Sequence, residues 1–117
     1  MSGYVDGFVL PIKKTKLAAY RKIAKLACRV WREHGALDYV ECAGDDLDVM
    51  PPGFPRGIKT KPGETVLFAW IRFESRAHRD RVNKKVMADP RLLAMCGKPM
   101  PFDMRRMLVG GFKIIVT

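Results

Sequence analysis

Apolar and polar positions along the chain repeat with two different periods. Residues 13–34 and 76–88 carry apolar side chains every three to four positions, which is typical of amphipathic helices. Four other segments alternate between apolar and polar or are apolar throughout, which predicts β-strands at 3–10, 36–43, 64–73 and 107–116. The pattern therefore predicts the element order β-α-β-β-α-β.

Proline, glycine and helix-capping residues indicate where these helices and strands are expected to begin and end. Pro11 is expected to end the first strand. Thr15 is a candidate N-cap and Gly35 a candidate C-terminal stop of the first helix, and Ser75 is a candidate N-cap of the second. Gly110-Gly111 inside the last strand predicts a bulge or a close backbone approach.

This order is the ferredoxin-like plan, an α+β fold with an antiparallel sheet and two helices on one of its faces. Alternation divides the strands into two sets, and we expect the aliphatic set to lie under the helices: Val5, Val9, Val40, Cys42, Leu67, Ala69, Ile71 and Phe73. The opposite set comprises Tyr4, Asp6, Phe8, Leu10, Leu37, Tyr39, Glu41, Val66, Phe68, Trp70 and Arg72. A sheet face with this many aromatic side chains is not expected to remain exposed to water. The partner expected to bury it is a second copy of the chain, which predicts a homodimer.

Length and composition bound the class of protein. The chain has 117 residues, 48% hydrophobic, and a formal net charge of +10, which fits one folded domain over 1–117. No apolar run approaches the roughly 20 residues of a membrane span, and the N-terminus lacks a signal-peptide pattern, so we expect a cytoplasmic protein without a membrane partner. Cys28, Cys42 and Cys96 form no metal-binding or disulfide pattern, and we predict no metal and no cofactor.

Three charged residues stand among the aromatic ones on the second face, namely Asp6, Glu41 and Arg72. One interpretation is an ion-pair network within a covered surface. The other is a small pocket at the centre of the homodimer, where Asp6 or Glu41 acts as a base and Arg72 holds an anionic ligand. The walls of that pocket would be Tyr4, Tyr39 and Trp70. His78, in the first turn of the second helix, is a further acid/base candidate, although a half-buried structural histidine fits the same pattern.

Both predicted helices are strongly basic on the side that faces away from the sheet. The first carries Lys13, Lys14, Lys16, Arg21, Lys22, Lys25, Arg29 and Arg32. Such a surface attracts phosphate groups, so a nucleic-acid-binding module is an alternative function. The third strand lacks the aromatic motif of RNA-recognition modules, and a solvated basic face explains the charge as well.

Several motifs extend this picture through a resemblance to a family. They are Tyr4-Val5-Asp6-Gly7-Phe8-Val9-Leu10-Pro11, Trp31-Arg32-Glu33-His34-Gly35-Ala36, Ser75-Arg76-Ala77-His78-Arg79-Asp80, Met100-Pro101-Phe102-Asp103, Arg106-Met107 and Gly110-Gly111-Phe112. With them the chain resembles the YbaA-like family, a bacterial family of domains of unknown function. The resemblance implies a dimeric α/β barrel and supplies no activity, because fold alone does not select among the oxygenases, isomerases and stress proteins of the wider superfamily.

The expected protein is therefore an uncharacterised cytoplasmic homodimer that binds a small molecule at the barrel centre. The alternatives are a cofactor-independent monooxygenase or isomerase that uses Asp6, Glu41 or His78, and the nucleic-acid-binding module.

Overall fold

A computed structural model describes residues 3–117 as an α+β fold with one antiparallel four-stranded sheet. The elements in chain order are β1 (Tyr4–Lys13), α1 (Leu17–Glu33), β2 (Asp38–Ala43), α2 (Phe54–Gly57), β3 (Glu64–Phe73), α3 (Arg76–Met87), α4 (Pro90–Leu93) and β4 (Leu108–Lys113). Single 3-10 turns precede α1 and β4. The strand order across the sheet is β2-β3-β1-β4, and the pairs β1–β3, β1–β4 and β2–β3 are all antiparallel.

Strand β1 continues past the proline that was expected to end it. Pro11 pairs with Val66 of β3, and the strand runs on to Lys13. On its other side, β1 pairs with β4 only as far as Val9, opposite Leu108. Pro11 therefore lies where β1 has a single neighbour, a position at which a strand accepts a residue without an N–H.

Two of the three predicted helix boundaries are confirmed. Gly35, directly after the last residues of α1, has a φ of 115°, a backbone conformation that favours glycine. The Ser75 side chain accepts a hydrogen bond from the backbone N–H of His78 and so caps α3. The Thr15 prediction was wrong, because a 3-10 turn at Lys14–Lys16 leads into α1 and no side chain caps the helix.

The helices cover a different set of β1 and β2 residues from the one predicted. Tyr4 pairs with Phe73, Phe8 with Ala69 and Tyr39 with Ile71, so these side chains share one face of the sheet. Helix residues Val30, Val82 and Val86 pack on that face, which makes it the helix-covered face.

The assignment was thus correct for β3 and reversed for β1 and β2. Tyr4, Asp6, Phe8, Leu10, Tyr39 and Glu41 share the helix-covered face, whereas Val5, Val9, Val40 and Cys42 share the uncovered face with Phe68, Trp70 and Arg72. Both faces of β1 and β2 carry apolar side chains. The alternation therefore predicted which residues share a face, but it did not predict which face the helices cover. A phase error of one residue exchanges the two faces.

Buried side chains form the core in two clusters along the helix-covered face. The larger joins the valines of α1 and α3 to Ile71 and Phe73. The smaller comprises Leu10, Ile12 and Leu67, against which Tyr20 and Phe102 pack. The predicted close approach at the last strand is confirmed, because a Cβ on Gly111 would lie 2.9 Å from ring carbons of Tyr4.

The C-terminal end of α1 is fixed to the junction of α3 and α4 by charged groups. His34 Nε2 lies 2.8 Å from a carboxylate oxygen of the buried Asp89, which also caps α4 and accepts from the Arg91 guanidinium. Hydrogen bonds from Arg91 and His34 hold the pKa of Asp89 well below its usual range. Arg91 reaches back to Glu33 at 3.2 Å, so this cluster orients the two helices that cover the sheet.

The connection between β2 and β3 covers one end of the other face of the sheet, where Pro11 and Val66 are buried, and within residues 3–117 no element covers the rest of it. The molecule is a slab with extents of 38 × 37 × 20 Å. Phe68 is 43% exposed and Phe112 is 61% exposed on this uncovered face. The Phe54 ring of this connection packs edge-on against Phe68 in the central strand β3, with 6.2 Å between the ring centroids. None of the helices in the described part of the chain combines the length and hydropathy that a membrane crossing requires.

Candidate ligand site

A cavity of about 190 Å³ lies between the helix-covered face of the sheet and α1. Ala24, Ala27 and Trp31 of α1 form one wall, and Phe8 and Ala69 of the sheet form the opposite one. The segment after α4 closes the cavity with Met95, Met100, Phe102, Met104 and Met107. Thioether side chains are flexible and adapt to the shape of what they contact, so this segment forms a deformable wall.

Among residues 3–117, Glu41 is the only charged residue that lines the cavity. The Tyr39 hydroxyl donates to its Oε2 at 2.7 Å, and the Tyr20 hydroxyl donates to its Oε1. Strand alternation places Glu41 and Tyr39 on the same face, two residues apart, and the helical period of α1 brings Tyr20 down onto them. Each carboxylate oxygen keeps a lone pair beyond the one that a tyrosine uses.

Burial raises the pKa of both tyrosines above the ordinary value for a phenol, and hydrogen bonding and charge at Glu41 act in the same direction. The two hydroxyls therefore keep their protons throughout the physiological range and remain donors to the carboxylate. The indole N–H of Trp31, the other polar group on the wall, is already donated to Asn83 at 3.0 Å. The side-chain polar atoms that line the cavity thus offer acceptors only.

A carboxylate at the start of β3 holds the wall that closes the cavity. The guanidinium of Arg106, which belongs to the closing segment, contacts both oxygens of Glu64 at 2.7 and 2.8 Å and donates to the Lys59 carbonyl. Hydrogen bonds from Arg106 and from the Lys61 backbone lower the pKa of Glu64 to about 2. This bidentate pair holds the neighbouring Met107 against the smaller core cluster of the sheet.

Asp6 belongs to a separate buried network on the same face. The Arg79 guanidinium of α3 lies 2.8 Å from Asp6 Oδ1 and 4.9 Å from the centroid of the Tyr4 ring. Asn83 also approaches Asp6, at 3.5 Å, and accepts from Trp31, which connects this network to the cavity wall. Burial raises the pKa of Asp6, and the charge of Arg79 opposes that shift.

The structure separates the residues that were expected to form one pocket. Tyr39 and Glu41 line the cavity under the helices, with Asp6 and Tyr4 in the neighbouring network. Trp70 and Arg72 lie on the uncovered face, where Arg72 pairs with Asp38 at 3.0 Å. The expected network of Arg72 with Asp6 and Glu41 is therefore wrong, because the phase error had put the three on one face.

His78 lies at the start of α3 and does not line the cavity. Its Nδ1 accepts the backbone N–H of Glu74 at 3.0 Å, and its ring packs edge-on against Phe73. These contacts account for a half-buried histidine in structural terms. Its role as an acid or base stays a prediction without a neighbouring ligand site.

Sequence reasoning missed Tyr20, the methionines and Arg79 as site residues. Tyr20 stood in the apolar stripe of α1, where a hydroxyl on a buried helical position indicates a polar partner. Met100, Met104 and Met107 recur within eight residues of a loop, which was a visible signal of a flexible apolar wall. Within residues 3–117, no group of three or more His, Cys, Asp and Glu side chains is placed to hold a metal ion.

Comparison with known proteins places the chain in a family. The family described as "Protein of unknown function (DUF1428)" matches residues 3–104. The chain belongs to this family. It is 42% identical over 114 residues to "Uncharacterized protein YbaA" of Escherichia coli K12 and equally to that of Shigella flexneri, in each case covering 97% of both chains. The predicted resemblance to the YbaA-like bacterial family of unknown function is thus confirmed, and it brings no activity with it.

A solved structure, that of "De novo designed protein Foldit4", aligns with 98% of this chain and 99% of its own at a TM-score of 0.48 and 10% identity.

Proposed function

We propose that this DUF1428 protein is a small-molecule-binding homodimer whose ligand site is the cavity under the helices of each subunit. The cavity around Glu41 is the observation that carries the proposal. Within residues 3–117, the side chains of its lining are apolar apart from the Glu41 carboxylate, the two tyrosine hydroxyls that converge on it and the Trp31 N–H, which is the usual composition of a ligand site. An empty cavity of about 150 Å³ is known to admit benzene, so about 190 Å³ accommodates a molecule with one ring.

The fold completes the proposal at the level of the assembly. The element order and the antiparallel strand order support a ferredoxin-like arrangement, whose uncovered face would pack against that of a second copy to form a dimeric α/β barrel. The ligand site then lies between sheet and helices of each subunit rather than at the barrel centre, because the phase of β1 and β2 is reversed from the expectation. A cytoplasmic location is proposed with it.

An enzymatic activity remains an alternative within the same site. Of the predicted catalytic residues, Glu41 alone lines the cavity, so a monooxygenase or isomerase reaction without a cofactor would use Glu41 as its base.

Nucleic-acid binding by the helix side also remains an alternative. The eight cations of residues 13–32 are exposed, and none of them forms an ion pair within residues 3–117. Binding of this kind would weaken steeply as salt is raised, whereas binding of an uncharged molecule in the cavity would not.

A filled cavity tests the proposal directly. Ala27 is buried and lines the cavity, whereas Ala19 lies exposed on the same helix, so Ala27→Leu and Ala19→Leu form a matched pair. We expect single-ring aromatic compounds to raise the melting temperature of the wild type and of Ala19→Leu, since saturation at 100 times Kd contributes about 2.7 kcal/mol. Ala27→Leu should lose this response. Equal stabilisation of both variants would place the binding elsewhere and overturn the proposal.

A further inference from the structure

We propose that the cavity selects an uncharged single-ring molecule with a hydroxyl group, of the phenol class, whose O–H is donated to Glu41. This inference rests on the proposed function and names the ligand class of the same site. It follows from the directions of the hydrogen bonds around Glu41, from the charges on and around the cavity and from the shape of its aromatic walls.

The polar side chains around the cavity favour a ligand that donates a hydrogen bond. Both tyrosine protons are already donated to Glu41, and the Trp31 N–H is donated to Asn83. Among the side chains of residues 3–117 that line the cavity, a bound polar group therefore meets carboxylate and phenolic oxygens that accept and meets no free donor. A ligand carbonyl, ether or nitro oxygen placed here would face acceptors and would lose its bonds to water without replacement. A ligand hydroxyl would gain a charge-assisted bond, which is about twice as strong as a neutral one.

The charges on and around the cavity favour an uncharged ligand. An anionic ligand would meet the Glu41 carboxylate in a half-open apolar cavity whose lining, within residues 3–117, includes no lysine or arginine, which is unfavourable. A cationic ligand would find one favourable partner in Glu41. It would have to approach through the field of a molecule with a formal charge of +10, and Tyr20 on the cavity wall is followed along α1 by Arg21 and Lys22. An uncharged donor avoids both penalties.

The aromatic walls of the cavity favour a flat ring. Trp31 and Tyr39 stand 5.9 Å apart by their ring centroids, and Tyr20 and Phe102 stand 5.6 Å apart. Each pair includes a tyrosine that donates to Glu41, so aromatic surface lies next to the carboxylate, and a flat ring packs against it in offset or edge-on geometry. The methionines of the closing segment fit around the remaining edge.

The test compares ligands of nearly equal shape. Trp31 lines the cavity and Trp70 lies on the uncovered face, so a Trp70→Phe variant leaves Trp31 fluorescence as a reporter of the cavity alone. The panel is p-cresol, p-xylene, 4-methylanisole, benzylamine and benzoate. We expect p-cresol to bind at least about 10-fold more tightly than p-xylene and 4-methylanisole, as one hydrogen bond to a charged acceptor implies. We expect benzylamine and benzoate to bind more weakly than p-cresol.

Variants then assign the effect to Glu41. Glu41→Gln should remove the 10-fold preference for p-cresol over p-xylene while p-xylene still binds. Tyr20→Phe is the control, since it leaves the carboxylate in place and should keep the preference. If Glu41→Gln does not fold, the ligand panel on the parent protein decides alone.

The outcomes separate this inference from the proposed function. Equal affinity for p-cresol and p-xylene, or tighter binding of benzylamine or benzoate, would overturn the ligand class and leave the cavity as a binding site. Failure of every compound in the panel to bind would overturn the proposed function and this inference together.

Discussion

At Gly111 of β4, the ring of Tyr4 occupies the space that the Cβ of any other residue would need. Tyr4 is buried on β1, and its ring lies over Gly111 of the neighbouring strand while the Arg79 guanidinium covers it from α3. Only glycine leaves room for this ring, since a Cβ at position 111 would contact ring carbons at 2.9 Å. The neighbouring Gly110 has no such restriction, because a Cβ there would meet only the exposed Phe112 ring at 3.4 Å.

Gly111→Ala should therefore destabilise the protein, and Gly110→Ala should not. We expect a loss of about 1–3 kcal/mol for Gly111→Ala, which is the usual range for overpacking, and a change within about 0.5 kcal/mol for Gly110→Ala. Urea denaturation of both variants measures the difference. Equal midpoints for the two alanine variants would contradict the close approach of Tyr4 to position 111.

The buried ion pair at Asp6 is a second feature that acts at the scale of single residues. Arg79→Ala leaves Asp6 buried without its cation, which we expect to cost about 3 kcal/mol at pH 7. Arg72→Ala is the matched control, because the Arg72–Asp38 pair is about 40% exposed and such pairs contribute about 0–1 kcal/mol.

The cost of Arg79→Ala should depend on pH in a defined direction. Burial raises the pKa of Asp6 above its unfolded value of about 3.9, and removal of Arg79 raises it further. The penalty for an ionised Asp6 is therefore absent below about pH 4 and appears as the pH rises through the folded pKa. The stability difference between wild type and Arg79→Ala should shrink between pH 7 and pH 4, as measured by denaturation at both values. A constant difference would show that Arg79 stabilises by packing on Tyr4 alone.

At the scale of elements, most of the chain was predictable because its strands and helices have clear periods. The bounds of β3 agree with the expectation, and the Ser75 cap begins α3 where it was expected. The prediction of which side of β1 and β2 faces the helices was wrong. In β3 the helix side is buried without interruption, whereas β1 places Tyr4 and Asp6 under the helices and valines on the other side. Hydrophobicity alone favours the opposite assignment, and only the tertiary partner Arg79 makes a buried aspartate acceptable.

The ligand site was predictable only in part, because some of its residues are brought together by the packing of distant elements. Glu41 and Tyr39 were recognisable as unusual residues, and their spacing placed them on one face of a strand. The convergence of Tyr20 from α1 and of the methionines from the loop before β4 depends on how distant elements pack. A single sequence does not encode these contacts in any local pattern, so the cavity became visible only in the fold.

At the scale of the whole molecule, the exposed surface is larger than a monomer of this size normally has. The chain exposes 8132 Å², compared with about 6,500 Å² expected for 13.3 kDa, and its radius of gyration of 15.0 Å exceeds the roughly 13.4 Å expected for 117 residues. The excess exceeds the roughly 800 Å² that each partner buries in a standard interface. Part of the exposed apolar surface lies on the uncovered face, where Phe68, Leu108 and Phe112 are each more than 40% exposed.

The proposed homodimer should therefore depend on this face and be broken by a charge within it. Phe68→Asp introduces a carboxylate where two apolar sheets would meet, and burial of such an unpaired charge is strongly unfavourable. We expect the wild type to sediment as a dimer at micromolar concentration and Phe68→Asp to sediment as a monomer with unchanged secondary structure, because position 68 is 43% exposed in the single subunit. Ala19→Asp on the exposed side of α1 is the control and should remain dimeric. A monomeric wild type, or a dimer that tolerates Phe68→Asp, would show that the uncovered face is not the interface, while binding of aromatic ligands in the cavity could still be measured on the same samples.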